Sequence, residues 1–333
     1  MSNKIAITPV ALREPQNPIA VTLRERGFTV AQHPEMTPPS PEEQRALLDG
    51  AIGFIAGPEP VGREALAAAG SLRVVSRFGV GYDNIDLQAA TDLGIIVTYV
   101  PDAMVEAVAD LTLGLLITAA RRISELDAAA KRGDWVRVIA ADVSGATLGL
   151  VGTGRIGLAV ARRAKAFGMR LLGCDPYPNR TFTEELGGRY VPLEELAAGS
   201  DFLSLHMPAT SETRNLIGPE LLARMRPTAF LVNAARGSVV DEPALLVALD
   251  EGRLAGAALD VFSVEPPAPD SAAARLMRHP RVVATPHVAS FTPATVARMG
   301  QCALENLLTV LDGRRPEHVA NPEVYERGLR FGA

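Results

Sequence analysis

Cysteine is close to absent from this chain of 333 residues, and what little there is lies apart: Cys174 and Cys302 stand alone, with no CxxC spacing and no Cys/His cluster beside either. A disulfide framework and a structural zinc site are thereby excluded, and no metal is expected. Long hydrophobic runs are missing too. The stretch Leu111 to Ala120 carries no charge, but about 20 apolar residues are needed to span a bilayer, so it reads as a buried helical segment. Met1-Ser2-Asn3-Lys4 leads straight into the strand-like run Ile5 to Thr8; no signal peptide is expected, and cytoplasmic residence is the default. Neither sign of charge is in excess. With 33 basic and 38 acidic residues the formal charge is -5, which leaves no footprint for nucleic acid or an anionic membrane and favours a small diffusible substrate. Fixed-period repeats and low-complexity tracts are absent; the nearest is the Pro-rich Thr37 to Pro41, read as a loop opening a helix over Glu42 to Leu48.

What is present is alternation. Short apolar runs bounded by Gly and Pro alternate with helical patterns: Lys4 to Thr8, Ala51 to Ala56, Arg73 to Ser76, Ile95 to Thr98, Thr147 to Val151, Arg170 to Cys174, Phe202 to Leu205, Ala229 to Asn233, Ala255 to Leu259 and Val282 to Thr285. That order implies α/β architecture with parallel sheets covered by helices on both faces. The length exceeds what one core supports, so two domains are expected. Crossings are read near Val100-Pro101 and near Ser290 to Pro293. Residues 1–100 with 291–333 would form a substrate-binding domain and residues 101–290 a dinucleotide-binding domain, two Rossmann-like doubly wound units with the active site in the cleft between them.

Thr147 to Val151 runs into Gly152-Thr153-Gly154-Arg155-Ile156-Gly157, then into a helical pattern over Leu158 to Phe167 and a second strand ending at Asp175. Each part has a physical task. Gly152 allows the tight turn, Gly154 lets backbone approach a pyrophosphate, and Gly157 lets the helix pack on the strand, while the helix N-terminus offers free amides. Asp175 falls where a carboxylate takes the adenosine ribose 2'-hydroxyl and repels a 2'-phosphate, so NAD is favoured over NADP. A bare GxGxxG is weak evidence; strand, helix, second strand and acid in order make it strong.

Three further segments follow apolar strands: Leu231 to Gly237, Leu259 to Pro266 and Ala284 to Ser290. Residues just past the carboxyl ends of parallel strands project into the ligand crevice, which would bring Arg236, Asp260, Glu265 and His287 together. Oxidising a 2-hydroxy acid needs a base for the hydroxyl proton and a cation for the carboxylate. His287 suits the first task. Glu265 would hold its other ring nitrogen, and the planar fork of Arg236 suits two carboxylate oxygens. Taken singly, His287 reads as a polar loop residue, Arg236 as an ion-pair partner, Glu265 as a solvated turn residue and Asp260 as a helix N-cap. Only the combination downstream of a dinucleotide fold reverses this.

The chain resembles the D-isomer-specific 2-hydroxyacid dehydrogenase family over nearly its whole length. The motifs are Arg77 to Asp86, the Gly152 to Gly157 loop, His206-Met207-Pro208, Asn233 to Gly237, Asp260-Val261-Phe262 with Glu265-Pro266, and Pro286-His287. The resemblance implies Arg236, Glu265 and His287 as catalytic residues. It implies cofactor contacts from Arg155, Ile156, Asp175, Met207, Pro208, Ala234, Ala235 and Asp260, and a homodimer. It also implies that amides around Val80 and Gly81 hold the substrate carboxylate, as consecutive amides in a Gly-containing turn can; Arg77 joins them as a candidate. His206 reads as structural. Phosphoglycerate dehydrogenases typically carry a basic group near position 56, where this chain reads Ile55-Ala56-Gly57-Pro58-Glu59, which lowers that reading. Glu265 argues against a formate dehydrogenase, whose branch has Gln there. Phosphite oxidation and an NAD(H)-sensing corepressor without turnover are the alternatives.

Overall fold

The computed structural model describes residues 2–329 and divides them into two compact units, one running to Met104 and resuming at Phe291, the other spanning Val105–Ser290. The sequence reading put the first crossing four residues earlier, at Val100-Pro101, because proline marks a break more visibly than the helix start that follows it.

In the first unit, strands β1 (Lys4–Ile7), β2 (Thr29–Gln32), β3 (Ala51–Ala56), β4 (Val74–Arg77) and β5 (Ile96–Thr98) form a five-stranded sheet ordered β2-β1-β3-β4-β5, all parallel. The chain reverses direction across the sheet between β1 and β3, the point at which open α/β sheets form a crevice. Phe54, Ala56, Val75 and Val97 bury one face. On the other, Leu307 of the long helix Pro293–Leu311 packs so close to Gly53 that an added Cβ would lie 3.1 Å from its terminal carbon. The C-terminal segment thus completes the unit that the first residues begin.

The second unit carries β6 (Thr147–Val151), β7 (Arg170–Cys174), β8 (Arg189–Tyr190), β9 (Phe202–Leu205), β10 (Phe230–Asn233), β11 (Gly256–Leu259) and β12 (Val282–Ala284), a parallel seven-stranded sheet ordered β12-β11-β10-β9-β6-β7-β8. This is the doubly wound dinucleotide-binding order with one strand added, and its reversal lies between β6 and β9. Strand residues alternate between two cores, as a period of two requires: Leu203, Leu205, Leu231 and Leu259 to one side, Leu148, Leu150, Phe202 and Phe230 to the other. The Val105–Arg121 helix buries nine of its residues, six of them, Leu113 and Leu116 included, in the second core. That accounts for its nearly unbroken apolar character.

Two strands escaped the sequence reading, β2 and β8. Both lie at sheet edges, β2 is half-exposed along its length and β8 has two residues, so neither shows a continuous apolar run. The helix after the glycine loop begins at Arg155, three residues before the expected Leu158, because the fingerprint glycines are themselves its cap and first turn. No helix begins at Asp260, so that residue is not a helix N-cap. Among the described residues no helix is long and apolar enough to cross a membrane.

The open edge at β5 is closed by the returning chain. Val319 bridges Thr98 antiparallel, and Asn321, 2% exposed, accepts from the Val97 amide at 2.8 Å and donates to Ile95 O at 2.9 Å and Thr91 Oγ1 at 3.1 Å. Asn321→Ala strands these groups in the core and is expected to lower stability by about 3 kcal/mol. Urea unfolding measures it; an unchanged midpoint would show that the edge is held by other contacts.

Candidate active site

The glycine loop sits at the carboxyl end of β6, and each glycine is there for a separate steric reason. Gly152 has φ +96°, and a Cβ there would meet the His206 carbonyl oxygen at 2.7 Å; a Cβ at Gly157 would lie 2.2 Å from the Gly152 carbonyl oxygen. Gly154 is different: a Cβ on it would meet nothing within 4 Å. The space over Gly154, at a helix N-terminus with no side-chain cap, is where a phosphate can approach bare backbone, so the residues fit a dinucleotide.

Asp175, directly after β7, is locked to that loop. One carboxylate oxygen accepts from Thr153 N at 2.6 Å and Thr153 Oγ1 at 3.2 Å, the other from Tyr177 N at 2.8 Å. A carboxylate has about four acceptor sites, so capacity remains for a ribose hydroxyl. Thr153, 1% exposed, also meets the Tyr190 hydroxyl at 2.6 Å. Thr153 and Tyr190 were given no role from sequence, since nothing in residue type separates them from ordinary loop and strand positions. Arg155 and Ile156 occupy the first helical turn, Met207-Pro208 follows β9 and Ala234-Ala235 follows β10. The cofactor candidates therefore share one edge of the sheet.

Further along that edge, β10, β11 and β12 lie side by side with Asn233 opposite Leu259 and Leu259 opposite Ala284. The residues that follow each strand are thereby neighbours. Asn233, 1% exposed, donates to Arg236 O at 2.9 Å and accepts from Ala235 N at 3.0 Å, a side-chain clasp that shapes the turn presenting Arg236. Gly237 packs backbone to backbone on the next segment: a Cβ there would stand 1.9 Å from the Phe262 carbonyl carbon.

Asp260 is fully buried, and its carboxylate accepts from Thr285 Oγ1 at 2.6 Å, Val288 N at 2.9 Å and Ala289 N at 3.0 Å. Its carbonyl accepts from His287 N at 2.7 Å. These bonds hold His287 at φ +51°, a left-handed conformation uncommon outside glycine and tolerated by histidine better than by most. The imidazole then faces Glu265, with Nδ1 at 2.6 Å from Oε2. A carboxylate can only accept, so Nδ1 carries the hydrogen and Nε2 is left for proton exchange. Glu265 is anchored in turn through Oε1 by Phe262 N at 2.8 Å, and the Glu265-Pro266 peptide is cis.

In the first unit, Arg77 ends β4 and its guanidinium lies under Gly79, donating to Phe78 O at 2.5 Å. The Val80 and Gly81 amides that follow make no hydrogen bond among the described residues, as an anion-binding turn requires. At the end of β3, Glu59 is 3% exposed, with its carboxylate on the Thr8 hydroxyl and, at 3.0 Å, on Gly57 N.

The profile of a family described as "D-isomer specific 2-hydroxyacid dehydrogenase, NAD binding domain" matches residues 113–289. A glyoxylate reductase of Korarchaeum cryptofilum (strain OPF8) is 44% identical over 316 residues, which cover 90% of this chain and 94% of that relative. Among solved structures, a glyoxylate reductase from Paecilomyes thermophila matches with TM-score 0.81 at 31% identity, over 97% of this chain and 99% of that one. A D-lactate dehydrogenase from Aquifex aeolicus complexed with NAD and lactic acid matches with TM-score 0.83 at 27% identity, over 95% and 99%.

His206 meets the Ser204 hydroxyl through Nε2 at 2.9 Å behind the glycine loop, and burial pulls its imidazole from 6.5 down to about 4. The unfolded chain takes up this proton near pH 6.5 and the folded one only near pH 4, so its contribution to stability is full above pH 6.5 and is lost as pH falls through that window. His206→Gln is expected to flatten this part of the stability profile, read by urea unfolding at stepped pH. An unaltered slope would assign the proton uptake to other groups.

Proposed function

The chain belongs to the D-isomer specific 2-hydroxyacid dehydrogenase family, and on that premise we propose that it moves a hydride between NAD(H) and C2 of a small D-2-hydroxy acid or the matching 2-keto acid. The observation that carries this reading is the His287–Glu265 contact at 2.6 Å, on the same sheet edge as a glycine loop and an acid suited to NAD. Bound NAD(H) supplies the hydride acceptor or donor. In oxidation, Nε2 of His287 takes the hydroxyl proton while Glu265 stabilises the imidazolium and keeps the ring turned. In reduction the same nitrogen returns the proton to the carbonyl oxygen. Arg236 grips the substrate carboxylate, and in the other unit the Val80 and Gly81 amides, with Arg77 behind their turn, are a second candidate for binding a carboxylate.

Glyoxylate or hydroxypyruvate fits the site better than a phosphorylated acid. The buried carboxylate of Glu59, three residues past β3, stands where recognition of a phosphate would call for a cation. Cytoplasmic residence and pairing with a second copy complete the reading. The second is supported by Trp135, 88% exposed, with Val136 and Ile139 beside it, an apolar stretch that suits burial against a partner.

Loss of NADH absorbance is expected with glyoxylate, hydroxypyruvate or another small 2-keto acid, and His287→Ala should lower turnover by about 10²- to 10⁴-fold with NADH affinity kept. Tight NADH binding with silence across a panel of keto acids would favour a sensor, and turnover of phosphite would favour that oxidation. Asp175→Ala is expected to weaken NAD binding and relax discrimination against NADP; an unchanged cofactor ratio would move that task to another residue.

A further inference from the structure

We propose that Glu242 is a positioning residue for proton transfer: its buried carboxylate, bound twice to Ser263, holds the turn that presents Glu265 to His287. The inference rests on the roles of Glu265 and His287 given above. Glu242 opens the Glu242–Asp250 helix and is 8% exposed, yet the helix does not use it as a cap, since Asp241 takes Ala244 N at 3.0 Å. Instead one Glu242 oxygen accepts from Ser263 N at 2.7 Å and the other from Ser263 Oγ at 2.6 Å. One residue back, Phe262 N donates to Glu265 Oε1 at 2.8 Å.

Two consecutive amides of one turn are therefore each held by a carboxylate, one belonging to the proton-transfer pair and one to the segment that follows Arg236. The same two segments already touch where Gly237 lies against the Phe262 carbonyl. Gly237 sets how near they come. Glu242 sets how the second turn is rotated, because two bonds to one serine leave little freedom about the contact. Without it, the Ser263 amide loses a charged acceptor, the turn relaxes and the Phe262 anchor of Glu265 shifts. The ionisable groups beside this arrangement include Glu265, across Nδ1 of His287, Asp260, whose carboxylate is occupied by Thr285, Val288 and Ala289, and Arg236, directly before Gly237. Loss of Glu242 is thus felt at His287 through Glu265.

The test compares Glu242→Ala, Glu242→Gln, Ser263→Ala, Glu265→Gln and the double variant Glu242→Ala/Glu265→Gln in keto-acid reduction across pH. Glu242→Ala is expected to lower kcat on the order of a hundredfold, with KM for NADH kept. It should also move the alkaline limb of the rate profile to lower pH, as Glu265→Gln does. Glu242→Gln, whose amide oxygen still accepts from Ser263 N, should restore most of the rate. The double variant should be no slower than Glu265→Gln alone. An unmoved pH profile with a loss that multiplies in the double variant would overturn the proposal, leaving Glu242 a stability role only. If Glu242→Ala does not fold, Ser263→Ala, which removes one of the two bonds, carries the test with a severalfold loss and the same limb shift. Proton NMR titration of the His287 ring reads the shift without turnover. Should Glu265→Gln and His287→Ala themselves leave turnover intact, it is the proposed function that fails, not the link from Glu242 to Glu265.

Discussion

A carboxylate with no access to water must be met by donors, and at Asp260 that requirement organises the site. Its oxygens draw in Thr285, Val288 and Ala289 from the segment after β12, and its carbonyl takes the amide of His287. The loop they hold would otherwise be a short exposed connection free to sample many conformations. Held this way, it turns His287 through a left-handed backbone and aims its ring at Glu265. A buried charge that is fully hydrogen-bonded rigidifies what surrounds it, and one left half-satisfied would destabilise it.

Much of the fold was legible because parallel strands buried on both faces leave apolar runs that need no periodicity to be seen. The ten runs read from sequence correspond to ten of the twelve strands, edge strands β5 and β12 among them, while edge strands β2 and β8 escaped because one is half-exposed along its length and the other has two residues. The glycine loop was legible for another reason. Gly152 and Gly157 sit where any side chain would collide with backbone, so the spacing of glycines is a direct imprint of geometry.

The site was legible where a residue type is chemically scarce and illegible where it is common. A His, a Glu and an Arg placed just beyond three strands can be picked out because few other side chains could perform the tasks proposed for them. Asn233, Thr153, Tyr190 and Ser263 could not, because their work is to clasp backbone in a particular turn, and that is decided by strand register and loop shape. Asp260 stands between these two cases. Sequence placed it at the ligand crevice but could not reveal its part as a loop anchor, since a helix cap, a ligand contact and an internal loop anchor all call for the same carboxylate.

Gly237 has a consequence for how such a protein can diversify. Its contact with Phe262 is between main chains: a side chain at Gly237 would drive the segments apart, while an exchange of the Phe262 side chain leaves the touching atoms as they are. The spacing between the turn that carries Arg236 and the turn that carries Glu265 therefore depends on this one position and not on the side chains around it, like the fixed gauge of a track. Side chains elsewhere in these segments can vary while the distance between the two turns stays constant.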